Sequence, residues 1–198
     1  HVFKGERAIV RPHFVSGTHA LATTLQAILG NGSKGKEFVY AVGQPYDTMQ
    51  SVIGASRHVP GSLTEQGFIY KEVPLVNNTY DLEGIRQAVT KDTRVVVIQR
   101  SRGYSTREPL SVEDIGIIVK AVKEVNPETI TFVDNCYGEF TETREPLEVG
   151  TDIMAGSLIK NAGGGITPTG GYVVGRDDLV EQVGYQLTAP GLGDHMGS

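Results

Sequence analysis

Between Arg94 and Gln99 the chain reads Val-Val-Val-Ile, with no polar residue inside the run. This feature most constrains the fold. A strand with one face in water alternates apolar and polar side chains, whereas a strand covered on both faces has no solvent side to alternate towards. Comparable β-rich runs, most of them apolar nearly throughout, recur as EFVYAV (37–42), FIYKEVPL (68–75), TITFVD (129–134), DIMAGS (152–157) and GGYVVG (170–175). Amphipathic stretches lie between them. The clearest is SVEDIGIIVKAVKEVNP: Ser111 and Asp114 open a capping box, Val112, Ile115, Ile118, Val119 and Val122 repeat at helical spacing, and Pro127 ends it. Further helices are expected at 18–29, 81–90 and 177–187. Such alternation predicts an α/β domain with helices packed over a mainly parallel sheet.

Composition narrows the classes of function. With 198 residues, 39% hydrophobic and 21% charged, the chain can bury one sizeable core, and residues 1–198 are expected to form one domain. A formal net charge of -5, with no long Lys/Arg block, leaves no surplus to neutralise nucleic-acid phosphates, so no nucleic-acid partner is expected. The single cysteine, Cys136, excludes an internal disulfide framework and fits a reducing compartment, read as cytoplasmic. Neither a long apolar span nor a charged-then-apolar leader is visible, so no membrane association is expected. The start without Met and the polar end GLGDHMGS suit a piece of a longer protein. Many of the 25 glycines fall where strands end, which is where open α/β sheets bind ligands.

Three stretches could carry chemistry. In VSGTHALATTLQAIL, Ser16, Gly17 and Thr18 stand directly before an apolar-periodic helix. Backbone N–H groups and two hydroxyls converge there at a positive helix end, as a phosphate requires, although a plain N-cap uses the same residues. Asp134 closes the buried-type strand TITFVD and points towards a ligand crevice, or else begins a local turn. Lys160 follows DIMAGSLI and precedes a glycine run with little bulk to shield it. That setting suits a partly buried, nucleophilic amine, while most lysines are simply solvated. Together an anion site, a strand-end acid and a lysine after a later strand match the protein parts that pyridoxal 5'-phosphate needs.

The same stretches carry a family resemblance. RPHFVSGTHA, GQPYDT, QRSRGYS, FVDNCYGEF and DIMAGSLIKNAGGGITPTGGYVVGR resemble fold-type-I pyridoxal phosphate enzymes of the Cys/Met metabolism group. More closely they are similar to the aluminium resistance protein, or methionine gamma-lyase family protein, group, from about residue 7 to the end. The resemblance implies a three-layer α/β/α large domain that pairs as a homodimer or homotetramer and lacks the C-terminal small domain. It also implies carbon–sulfur lysis of a sulfur-containing amino acid by β- or γ-elimination. Lys160 then matches the cofactor-bonding lysine, Asp134 the carboxylate facing the pyridine nitrogen, and Ser157 a hydroxyl near the phosphate. Ser16, Gly17 and Thr18 match the phosphate turn, and Tyr46 the aromatic residue that stacks on the cofactor ring. Arg100 and Arg102 fall where related enzymes contact cofactor or substrate, but their spelling departs from those relatives and implies no individual role. A non-catalytic scaffold of the same shape is the competing reading.

Other motifs lead elsewhere. GNGSKGKE (30–37) nearly spells a P-loop, yet Glu37 stands where magnesium needs Ser or Thr. Ser157-Leu-Ile-Lys160 matches S-x-x-K, but no S-D-N or K-T-G follows. The histidines at 1, 13, 19, 58 and 195 show no i,i+4 pair, so no metal site is expected.

Overall fold

The computed structural model describes residues 2–31 and 35–193; the middle of the P-loop-like stretch, His1 and His195 lie outside the described residues. Elements run β1 (Arg7–Arg11), α1 (Gly17–Gly30), β2 (Glu37–Tyr40), α2 (Asp47–Ile53), β3 (Ile69–Glu72), α3 (Leu82–Ala88) and β4 (Thr93–Gln99). They continue with α4 (Val112–Val125), β5 (Ile130–Asp134), β6 (Ile153–Ser157), β7 (Gly171–Gly175) and α5 (Asp177–Leu187), with 3-10 turns at Pro146–Val149 and Asn161–Gly163. One sheet orders the strands β1-β7-β6-β5-β4-β2-β3. From β6 to β3 every pairing is parallel, and β7 pairs antiparallel with both β6 and β1.

The two faces of the sheet explain the uninterrupted apolar runs. In β4, Val95 and Val97 enter one core and Val96 and Ile98 the other. Ile130 and Phe132 of β5 and Ile153 and Ala155 of β6 join the first, while Val133 and Met154 join the second. The first core is closed by α1 and α5, and the second by α3 and α4. Side chains still alternate across the sheet, but both directions are dry. The chain is therefore the three-layer α/β/α arrangement expected. At α4 the Ser111 Oγ accepts from the Asp114 N–H at 3.0 Å, and Asp114 Oδ2 accepts from the Ser111 N–H at 2.9 Å, completing the capping box.

Two elements were not anticipated. In β1 only Ile9 is buried, so an antiparallel edge strand with exposed neighbours carries no apolar run. In α2 only Met49 and Ile53 are buried, one helical turn apart, which is too short a pattern to register.

Parallel pairing aligns strand ends. Gln99 of β4 stands beside Asp134 of β5, and Asp134 beside Ala155 of β6. Arg11, at the end of β1, pairs with Gly171, which also pairs with Ser157. The start of α1 thus joins the C-terminal ends of β4, β5 and β6 at one edge.

Close packing reaches behind this edge. A Cβ on Gly156 would lie 2.5 Å from the Tyr172 hydroxyl and 2.6 Å from Glu139 Oε1, both buried groups. Gly156→Ala is expected to lower stability by about 1–3 kcal/mol through overpacking, read as a lower urea midpoint with unchanged slope.

Candidate functional site

Ser16 caps α1, its Oγ accepting from the His19 N–H at 3.1 Å. The first N–H groups of a helix have no acceptor inside it, and they carry the positive end of the helix dipole. Gly17 begins the helix, and a Cβ there would lie 2.8 Å from Ser157 Cβ and 3.4 Å from Cys136 Sγ. Only glycine therefore lets the helix start approach the ends of β5 and β6 this closely. Ser157 is 1% exposed, and among the described residues its Oγ has no hydrogen-bond partner. A buried, unpartnered hydroxyl and the free N–H groups of a helix start thus form one cradle of unpaired polar groups.

Thr18 joins this cradle to the next loop. Its hydroxyl is 3.0 Å from the Tyr46 hydroxyl and 2.9 Å from that of Thr48. Tyr46 precedes α2 with φ −65° and ψ 160°, and its backbone N–H donates to Gln99 Oε1 at 3.2 Å. Burial and the nearby Asp134 carboxylate push its phenol up, so it stays a neutral donor and an aromatic face. Family resemblance singled out Tyr46; its hydroxyl contact across 28 residues is invisible to periodicity.

Asp134 is 4% exposed at the end of β5. Its Oδ1 accepts from the Cys136 N–H at 3.1 Å. Burial raises its pKa, opposed by that N–H and by the positive charge of Lys160. The same burial, with Asp134 nearby, pushes the Cys136 thiol up, so Cys136 is a packing residue rather than a nucleophile. Lys160 lies beyond β6, only partly buried, with its Nζ 4.1 Å from the centre of the Tyr137 ring. The structure thus brings Ser16, Gly17, Thr18, Tyr46, Asp134, Ser157 and Lys160 to one edge of one sheet.

Arg100 is elsewhere in its chemistry. It is 3% exposed and donates to Asn135 Oδ1 at 2.8 Å, Gly138 O at 2.9 Å and Glu142 Oε1 at 2.7 Å. It fixes the 135–142 loop from below. Arg102 is exposed and lines a cleft of about 570 Å³ with Leu110, Tyr137 and Glu142. Several supporting residues gave no signal in the sequence: Gln99, Tyr137, Asn161 and His19 act through contacts that no local spacing encodes. Among the described residues no cluster of three His, Cys, Asp or Glu side chains could hold a metal ion, and no helix is long and apolar enough to cross a membrane.

The family model for methionine gamma-lyase matches residues 1–198. YnbB of Bacillus subtilis, an uncharacterised protein, is 43% identical over 199 residues, covering 100% of this chain and 47% of that protein. An L-methionine gamma-lyase of Fusobacterium nucleatum is 28% identical over 168 residues, covering 79% of this chain and 41% of that enzyme. The crystal structure of a carbon–sulfur lyase involved in aluminium resistance from Clostridium novyi superposes with a TM-score of 0.88 at 47% identity, covering 96% of this chain and 45% of that one. The chain spans about half the length of the curated relatives it matches.

His19 reports on the loop that leads into the cradle. The Val15 N–H donates to its Nδ1 at 3.2 Å, and burial lowers its pKa below the ordinary 6.5. The unfolded chain therefore takes up this proton at higher pH than the folded one. The stability contributed by the neutral ring is full above pH 6.5 and is lost as pH falls through the folded value. Between about pH 8 and about pH 5.5 the melting temperature of the parent is expected to fall more than that of His19→Asn, by about 1–3 °C.

Proposed function

This chain belongs to the methionine gamma-lyase family, and on that premise we propose that it binds pyridoxal phosphate and serves carbon–sulfur lysis of a sulfur-containing amino acid. The observation that carries the reading is Ser157: a buried hydroxyl with no partner among the described residues, pressed against Gly17 at the start of α1. A phosphate group satisfies that hydroxyl and the helix N–H groups together.

The remaining residues fit the rest of the cofactor. Asp134, a carboxylate desolvated at a strand end, gains from a protonated ring nitrogen the cationic partner that burial otherwise denies it. Tyr46 offers a neutral aromatic face beside Thr18, and Lys160 the primary amine that bonds a carbonyl. When bound, pyridoxal phosphate supplies an electron sink for charge that develops at the substrate's α-carbon. This chain's own part is positional and acid–base. Lys160 Nζ would hold the cofactor's carbonyl carbon and, when not so engaged, would serve as the base for the substrate's α-proton. Asp134 would face the ring nitrogen and, as a carboxylate, would favour its protonated form. Ser16, Gly17, Thr18 and Ser157 anchor the phosphate so that the amine and the acid act on a fixed frame. The substrate is an amino acid with a sulfur leaving group, and the working unit is a homodimer or homotetramer.

Adding pyridoxal phosphate to the purified chain is expected to produce a visible absorbance band that Lys160→Ala lacks. Borohydride should then fix the cofactor's mass on the Lys160 peptide. Gly17→Ala should weaken binding at least about 10-fold by driving a methyl into Ser157, and Asp134→Ala should keep the band but slow deuterium exchange at the α-carbon of a bound amino acid about 100-fold or more. A parent without a band, or with the mass on another lysine, rejects this reading in favour of a scaffold that shares the shape alone.

A further inference from the structure

Tyr137 has a conformation that its surroundings do not explain by packing. Its φ is 68°, in the left-handed region where a bulky side chain is an outlier and where Gly or Asn would be the ordinary choice. The side chain gains little from a core, because the residue is 57% exposed. Among the described residues it stacks on no other ring and its hydroxyl makes no hydrogen bond; its partner is the ammonium of Lys160, 4.1 Å from the ring centre. Non-glycine residues held in this region concentrate where a fixed side-chain direction serves a site.

The contact is also latched from the lysine's side. Asn161, next to Lys160, donates from Nδ2 to the Tyr137 carbonyl at 3.0 Å and to the Glu139 carbonyl at 3.3 Å. One amide thereby ties the loop after β6 to the loop after β5. From below, Arg100 holds the Gly138 carbonyl at 2.9 Å. Ring and amine are thus brought face to face by two independent fixings, one for each partner.

We propose that Tyr137 is a positioning residue for Lys160: its ring face holds the lysine's ammonium at the cofactor edge whenever the amine is not covalently engaged. This rests on the assignment of Lys160 as the reactive amine. The ring's quadrupole attracts the cation without forming a bond that must be broken, so the amine is kept near and released at small cost.

The test needs no cofactor. The folded chain is labelled at fixed pH with trinitrobenzenesulfonate, and the rate at the Lys160 peptide is followed by mass spectrometry for the parent, Tyr137→Phe, Tyr137→Asn and Tyr137→Gly. Asn and Gly tolerate the backbone and remove the ring, and Phe keeps the ring without the hydroxyl. Lys123, held by Asp152 at 2.7 Å far from the ring, is the internal control for folding. Lys160 is expected to react about 2–5 times faster in the Asn and Gly variants and at the parent rate in Phe, with Lys123 unchanged; that factor corresponds to about 0.5–1 kcal/mol. Parent-like labelling of Lys160 in both ring-less variants overturns the proposal, as does a Phe variant that behaves like Asn. Failure of the parent to bond pyridoxal phosphate at Lys160 would instead reject the assignment of the amine, a result read from the separate absorbance experiment.

Discussion

The burial of β4, β5 and β6 on both faces governs what the rest of the chain can do. With apolar side chains directed both up and down from the sheet, polar chemistry is displaced to the strand ends. Parallel pairing then brings those ends to one edge, Gln99 beside Asp134 beside Ala155, with Ser157 just beyond. The antiparallel β7 completes the arrangement. Because it returns beside β6 and pairs with β1, it carries the β1–α1 turn to the same edge, where Gly17 meets Ser157. The meeting of residues about 140 positions apart therefore follows from strand order rather than from any local motif.

Arg100 shows how the loop above that edge is kept in shape. A guanidinium 3% exposed is tolerable only if its donors are satisfied and its charge is balanced. It meets both conditions through Asn135, Gly138, Glu142 and, at 3.5 Å, Glu145. Its donors are spent on this loop, and the residue also lines the cleft beside Arg102. Breaking such a buried pair leaves a charge without its partner, so the loop that carries Cys136 and Tyr137 has one strongly preferred form.

What was legible in the sequence follows physical lines. The six β-rich runs and the capped α4 were readable because each is specified by its own residues, and their ends fall within one or two positions of the runs except at β3, which stops at Glu72 where the run continues to Leu75. The edge strand β1 and the short α2 were not, since tertiary contact rather than composition makes them. Within the site, Lys160, Asp134 and the Ser16–Thr18 turn stood out by position after a strand or before a helix. Tyr46 and Ser157 came from family resemblance, and residue chemistry alone would have left both as core. Tyr137 escaped altogether: neither its left-handed backbone nor a lysine 23 positions later can be read from FVDNCYGEF.

Three carboxylates, Asp134, Glu139 and Glu145, crowd into this small buried region, and the structure handles each differently. Glu145 faces Arg100 and accepts the Phe140 N–H at 2.8 Å, which ties charge balance to loop shape. Glu139 is met by the Tyr172 hydroxyl at 2.8 Å, a neutral donor, and burial raises its pKa; its Oε2 has no partner among the described residues. Asp134 has the backbone N–H and the thiol of Cys136 and the more distant charge of Lys160. Glu145 is thus paired with a guanidinium and Glu139 with a phenol, while Asp134 makes no ion pair within contact distance among the described residues.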